Sequence, residues 1–107
     1  MRSLHYVEFS QIREQQNYRL IDVRESDEFE EVHVKGAENL PLTDLERGVR
    51  FEPDGRPIAY ICRSGRRSAL ACMQLEAEGY PEGVNIEGGT LAAMQMGGEH
   101  VVYNRSI

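Results

Sequence analysis

A chain of 107 residues that is 40% hydrophobic and 28% charged supports one soluble globular domain over 1–107, with a single core rather than two. A net charge of −6 argues against nucleic acid as the main partner. No run approaches the ~18 apolar residues of a membrane span, and Met1-Arg2-Ser3-Leu4-His5-Tyr6 carries no apolar signal region, so the default expectation is a cytoplasmic protein without a membrane partner.

Helix and strand signals alternate along the chain. Phe9 to Gln16 reads as a short helix opened around Tyr6-Val7. Arg19-Leu20-Ile21-Asp22-Val23 reads as a strand whose continuous apolar character fits a sheet covered on both faces. Ser26 offers an N-cap, with Asp27 and Glu28 in the first turn, for a brief helix to about Val32. Five carboxylates between Glu25 and Glu31 form the solvated face of that helix. Gly36 to Pro41 reads as a turn and a very short strand. Thr43-Asp44-Leu45-Glu46 has the spacing of a capping box and starts another short helix. Phe51 to Pro57, with Pro53 and Gly55, is a loop.

Next comes Ile58-Ala59-Tyr60-Ile61, an apolar run that ends on Cys62 and is followed by a helical stretch from Ser68 to Glu78, stopped by Gly79 and Pro81. Val84-Asn85-Ile86 is a last short strand. Gly88-Gly89 turns into a helix from Thr90 to about Met96, broken by Gly97-Gly98. Strands separated by helices imply parallel crossovers, hence an α/β fold with helices on both faces of the sheet. Ligands in such sheets sit beyond the C-terminal strand ends, where Cys62 falls.

The segment Cys62-Arg63-Ser64-Gly65-Arg66-Arg67-Ser68 carries the chemistry. It puts one thiol in a short loop at a helix N-terminus, where backbone N–H groups converge and the helix end adds positive potential. Three arginines, Arg63, Arg66 and Arg67, lie within five residues of the sulfur. A cysteine in that field should have a lowered pKa and serve as a nucleophile beside an anion. The plainer alternative is a buried thiol next to an exposed helix start. Cys72, among Ala69, Leu70, Met73 and Leu75, reads as a packed, inert thiol. Two cysteines without C-x-x-C spacing and three scattered histidines, His5, His33 and His100, suggest neither a disulfide framework nor a metal, and no cofactor is indicated.

These motifs resemble those of the single-domain rhodaneses, a sulfurtransferase family, over roughly Tyr6 to Ala93. Leu20-Ile21-Asp22-Val23-Arg24-Glu25 is similar to the family's first signature. Glu28-Phe29 followed by His33-Val34-Lys35-Gly36-Ala37-Glu38-Asn39-Leu40-Pro41 resembles its second. Tyr60 to Ser68 resembles the active-site loop, and Asn85-Ile86-Glu87-Gly88-Gly89 the C-terminal signature. The chain departs from the pattern at Val32, where the family usually has Gly, and at Ala93, which stands where the family commonly has an aromatic.

The resemblance implies a three-layer α/β fold around a mostly parallel five-stranded sheet. It implies that Cys62 takes a sulfane sulfur from an anionic donor such as thiosulfate, as a persulfide, and passes it to cyanide or a thiol. Arg67 would close the cradle around the terminal sulfur. Arg63, Ser64, Gly65, Arg66 and Ser68 would bind the donor through side chains and loop N–H groups. Asp22 with Arg24, and His33, are expected to be structural. The Arg-rich loop favours a dianionic donor.

Two other enzymes use a similar cradle, dual-specificity phosphatases and arsenate reductases. The phosphatase loop has five residues between Cys and Arg, whereas four separate Cys62 from Arg67, and no acidic residue lies near the loop in sequence to protonate a leaving group. A regulatory module, or a persulfide carrier serving a protein acceptor, is the other alternative. The expected assembly is a monomer or weak homodimer.

Overall fold

The computed structural model describes residues 1–104; the last three residues of the expected 1–107 unit lie outside the described residues. In chain order the elements are β1 (Arg2–His5), α1 (Tyr6–Ile12), β2 (Arg19–Asp22), α2 (Ser26–Glu31), β3 (Val32–Val34), β4 (Glu38–Asn39), α3 (Leu42–Glu46), β5 (Ile58–Ile61), α4 (Arg66–Ala77), β6 (Val84–Glu87), α5 (Gly89–Met96) and β7 (Val101–Tyr103). Five strands form one parallel sheet in the order β1-β6-β5-β2-β4, and β3 pairs with β7 in a separate antiparallel ribbon.

Alternation along the central strands divides the core in two, one cluster on each face of the sheet, where the chain length alone suggests a single core. Ala59 and Ile61 of β5 face a cluster with Tyr6 and Phe9 of α1 and Ala92 and Ala93 of α5. Ile58 and Tyr60 face the other way, onto Leu45 of α3 and Ala71, Cys72 and Leu75 of α4. Each such aliphatic side chain contributes about 1.5–3 kcal/mol by leaving water, and together they fix the β5 register. The order of strands reverses at the neighbours β2 and β5, so the chain leaves their C-terminal ends in opposite directions and opens a crevice there.

The three-layer parallel architecture agrees with the expectation, but several local boundaries do not. The first helix is Tyr6–Ile12 rather than Phe9–Gln16, because the His5 ring Nδ1 accepts from the Val7 N–H at 3.2 Å and starts the helix earlier. Glu25, not Ser26, occupies the cap of α2, and its N–H donates to the Glu28 carboxylate at 3.2 Å. Thr43 does not cap α3. Its hydroxyl donates instead to Glu25 at 2.7 Å, and the helix begins at Leu42 behind Pro41. Val32 has φ −159°, extended backbone open to any residue, so its place in β3 does not require Gly. Ala93 is fully buried; Met94 packs against that cluster, and Met96 stays exposed.

Candidate active site

Strand β5 delivers Cys62 to the C-terminal edge of the sheet, and Arg63, Ser64 and Gly65 turn the chain directly into α4. Gly65 has φ +114°, a conformation an L side chain rarely adopts, and an added Cβ would lie 3.3 Å from the Ile86 carbonyl oxygen. That turn lets α4 start at Arg66, two residues before the sequence predicts. It also aims the Gly65 N–H at Cys62 Sγ, 3.2 Å away, while Ser68 Oγ lies 3.3 Å from the same sulfur.

Cys62 is only 1% exposed. Burial is the largest influence on its thiol and pushes the pKa up. The Ser68 hydroxyl and the N–H groups of Ser68, Gly65 and Ser64 together outweigh it, so the pKa falls below the ordinary 9.0. The lowering predicted from the sequence is present, with hydrogen bonds as its leading causes.

The carbonyl side of the loop is tied outward to α5. The Thr90 N–H and Oγ1–H both donate to the Cys62 carbonyl, at 2.9 and 3.0 Å, and the Leu91 N–H donates to the Arg63 carbonyl at 3.2 Å. Gly89 permits this approach, since a Cβ there would sit 2.5 Å from both carbonyl oxygens. With its carbonyls so engaged, the loop is left presenting N–H groups to the sulfur. Behind it stands Asn85 of β6, whose Oδ1 accepts from Ser68 Oγ at 2.6 Å and whose Nδ2 donates to the Gly65 carbonyl at 3.1 Å.

The arginines are distributed unequally. Arg67 reaches across to α2 and makes two hydrogen bonds with Glu28, at 2.6 and 3.0 Å. That guanidinium holds the Glu28 carboxyl below the usual carboxylate range. Arg67 is still within electrostatic reach of Cys62. Arg63 lines a groove of about 300 Å³ beside the loop, with Arg24, Val32, Leu91 and Met94 on its walls. Arg63 and Arg66 are exposed, and neither has an ion-pair partner among the described residues. Ser64 is exposed and Ser68 fully buried.

Asp22 and Arg24 form a buried pair with bonds of 2.9–3.2 Å, and Arg24 also donates to the Val32 carbonyl at 2.6 Å. Asn39 Nδ2 donates to both their carbonyls at 3.0 Å, so the pair braces the crevice floor. His33 stacks on Phe29 at 3.9 Å, and its Nδ1 lies 2.8 Å from the Phe29 carbonyl oxygen. Cys72 lies fully buried on α4, its thiol donating to Glu76 at 3.1 Å and pushed up to about 12 by burial and that carboxylate. Among the described residues no cluster of His, Cys, Asp or Glu is arranged to hold a metal ion, and no helix is long and apolar enough to cross a membrane. A separate cleft of about 720 Å³ runs along α1 between Tyr6, Arg13 and His100 and contains no residue of the Cys62 loop.

The sequence reading missed Glu28, Asn85 and Thr90 as parts of this site. Its one available hint was a polar Asn85 between Val84 and Ile86 in an otherwise apolar strand.

The chain is similar to several known proteins. A sulfurtransferase of Allochromatium vinosum is 33% identical over 73 residues, 68% of each chain. An adenylyltransferase and sulfurtransferase of Ogataea parapolymorpha is 33% identical over 78% of this chain but only 22% of its own length. A rhodanese-related protein of Thermoplasma volcanium superposes with a TM-score of 0.81 at 27% identity, covering 95% of this chain and 98% of that one. The chain spans 38, 49 and 56% of the length of three further bacterial relatives that it matches at 31–38% identity. The sequence model of the rhodanese-like domain matches residues 6–95, which include every residue of the Cys62 cradle and its α2 and α5 supports; by fold and by sequence, the chain belongs to the rhodanese-like family of sulfurtransferase domains.

Proposed function

We propose that this protein moves a sulfane sulfur from a small anionic donor, with thiosulfate the best fit, to a thiophilic acceptor through a persulfide on Cys62. The observation that carries the reading is the pairing of a depressed thiol with a ring of N–H donors already aimed at it. The thiolate attacks the outer sulfur of thiosulfate. A Cys62 S–S bond forms, the donor's S–S bond breaks, and sulfite leaves with the electron pair. The negative charge then rests on the outer sulfur of the persulfide, where the loop N–H groups of Arg63 to Ser68 hold it. Cyanide or a thiolate removes that sulfur and regenerates the Cys62 thiolate, so no general base is needed. Arg63 and Arg66, exposed and unpaired, draw in the dianion, and Arg67 orders the loop from its bridge to Glu28.

Intact mass after thiosulfate treatment tests this. A gain of one sulfur atom on Cys62, removed by cyanide with release of thiocyanate, is the expected result. A reduced protein that gains no sulfur overturns the reading. A protein acceptor is the second reading, and the groove favours it: its Leu91 and Met94 walls exceed what a dianion as small as thiosulfate uses. The relatives' greater length points the same way, because their additional segments leave room for a partner domain.

A further inference from the structure

The Ser68 hydroxyl has two suitors and one hydrogen. Its oxygen lies 2.6 Å from Asn85 Oδ1 and 3.3 Å from Cys62 Sγ. The Asn85 amide cannot turn round, because the Gly65 carbonyl only accepts and so requires the NH2 end, 3.1 Å away. Oδ1 therefore faces Ser68 and competes with the sulfur for its hydrogen. Both side chains are buried, at 0% and 5% exposed, so water does not replace either bond.

We propose that Asn85 is a positioning residue that takes the Ser68 hydrogen whenever Sγ is uncharged and yields it when Sγ is a thiolate, so favouring the sulfur-loaded state. The proposal deepens the sulfur-transfer reading and rests on it. In the resting thiol, S–H donates to Ser68 Oγ and Ser68 donates to Asn85. On ionisation the thiol proton leaves to solvent and the hydroxyl swings onto S⁻. Loading forms the Cys62 S–S bond, expels the donor's leaving group with its electron pair, and moves the charge to the outer sulfur. The inner Sγ is then a poor acceptor, and the hydroxyl returns to Asn85. When the acceptor takes the outer sulfur, Sγ leaves with the bonding pair and recovers the hydroxyl.

The test is iodoacetamide alkylation of Cys62 as a function of pH, which reads the sulfur before any cargo is present. Asn85→Leu removes the competitor and should speed alkylation about threefold at a pH where the thiol predominates, the worth of part of a hydrogen bond. The same substitution in a Ser68→Ala background should change nothing further. A merely structural brace predicts the opposite sign, because a slack Gly65 would withdraw its N–H from the sulfur. The charged pair within electrostatic reach of the sulfur, Arg67 on α4 with Glu28 on α2, is unchanged in every variant. The loaded fraction at equal thiosulfate and sulfite should also fall about threefold in Asn85→Leu. Asn85→Ala is the second variant if Leu does not fold. In wild type, the Asn85 side-chain carbonyl ¹³C resonance should shift as Cys62 ionises, and less so in Ser68→Ala. Slower or unchanged alkylation in a folded variant, acceleration that survives Ser68→Ala, or an unmoved resonance overturns the proposal. A protein that never gains sulfur overturns the proposed function instead, and leaves the alkylation result to stand alone.

Discussion

Cys62 and Cys72 lie ten positions apart, both essentially inaccessible to water, and yet their thiols move in opposite directions. Burial raises the pKa of each. At the N-terminal end of α4 the sulfur meets donors, the Gly65 N–H and the Ser68 hydroxyl, which favour the charged form and bring the pKa below its ordinary value. In mid-helix the sulfur meets an acceptor, the Glu76 carboxylate, and the neutral form is held until about pH 12. Burial acts the same way on both, so the difference between the two thiols is set by which way the neighbouring hydrogens point.

Substituting each thiol in turn gives the sharpest contrast. Cys62→Ser should abolish thiosulfate:cyanide transfer in a folded protein, since oxygen forms no persulfide, whereas Cys72→Ser should leave the rate nearly unchanged; steady-state rates with circular dichroism decide. A large loss of rate at Cys72→Ser would place it in the sulfur path. Next in size is a Gly inserted between Ser64 and Gly65. It lengthens the cradle so that its donors no longer converge, and a misplacement of ~1 Å costs on the order of a hundredfold in rate. Full activity in a folded insertion variant would remove loop length as the basis for choosing sulfur.

The arginines come third. Arg67→Ala frees Glu28 beside the cradle and should lower kcat/KM by roughly tenfold to a hundredfold, with little salt dependence. Arg63→Ala, losing an exposed cation, should cost about threefold at low ionic strength and nothing at high salt. Kinetics of both at two salt concentrations would reverse the assignment if the order were opposite. The smallest effect concerns labelling. The pH profile of Cys62 alkylation should have its midpoint below the ordinary 9.0, with thiolate present above it and lost as pH falls through it. Cys72 should stay unlabelled at those pH values, and Glu76→Gln should bring its labelling to lower pH by removing the carboxylate that holds its thiol neutral. Mass mapping of the labelled sites separates the two.

The strands with apolar runs, β2 and β5, and the strand-to-helix turn at Cys62 were legible in the sequence because their signals are local. β1 was not: Arg2-Ser3-Leu4-His5 is largely exposed, without alternation, and is a strand because its backbone pairs with β6. The β3–β7 ribbon joins Val32–Val34 to Val101–Tyr103, a pairing too distant for any local pattern to reveal. At the site, Thr43 and Glu25 show the same limit, since a tertiary contact at 2.7 Å took the hydroxyl that a capping box would have used. The spacing points Arg67 into the cradle, but its guanidinium reaches instead to Glu28, 39 positions away, a partner only the fold supplies.

The tether of Thr90 to the Cys62 carbonyl, spanning 28 positions, has a consequence for biogenesis. The loop carbonyls are held outward by α5, which follows β6, the neighbour of β5 in the sheet. Loop closures of that separation are completed after local helices form. A chain still emerging or half assembled therefore exposes an ordinary thiol, mostly protonated at neutral pH and slow to oxidise. The lowered thiol pKa of Cys62 is thus a property of the assembled fold, held by a contact between segments far apart in the chain, and not of the loop sequence alone.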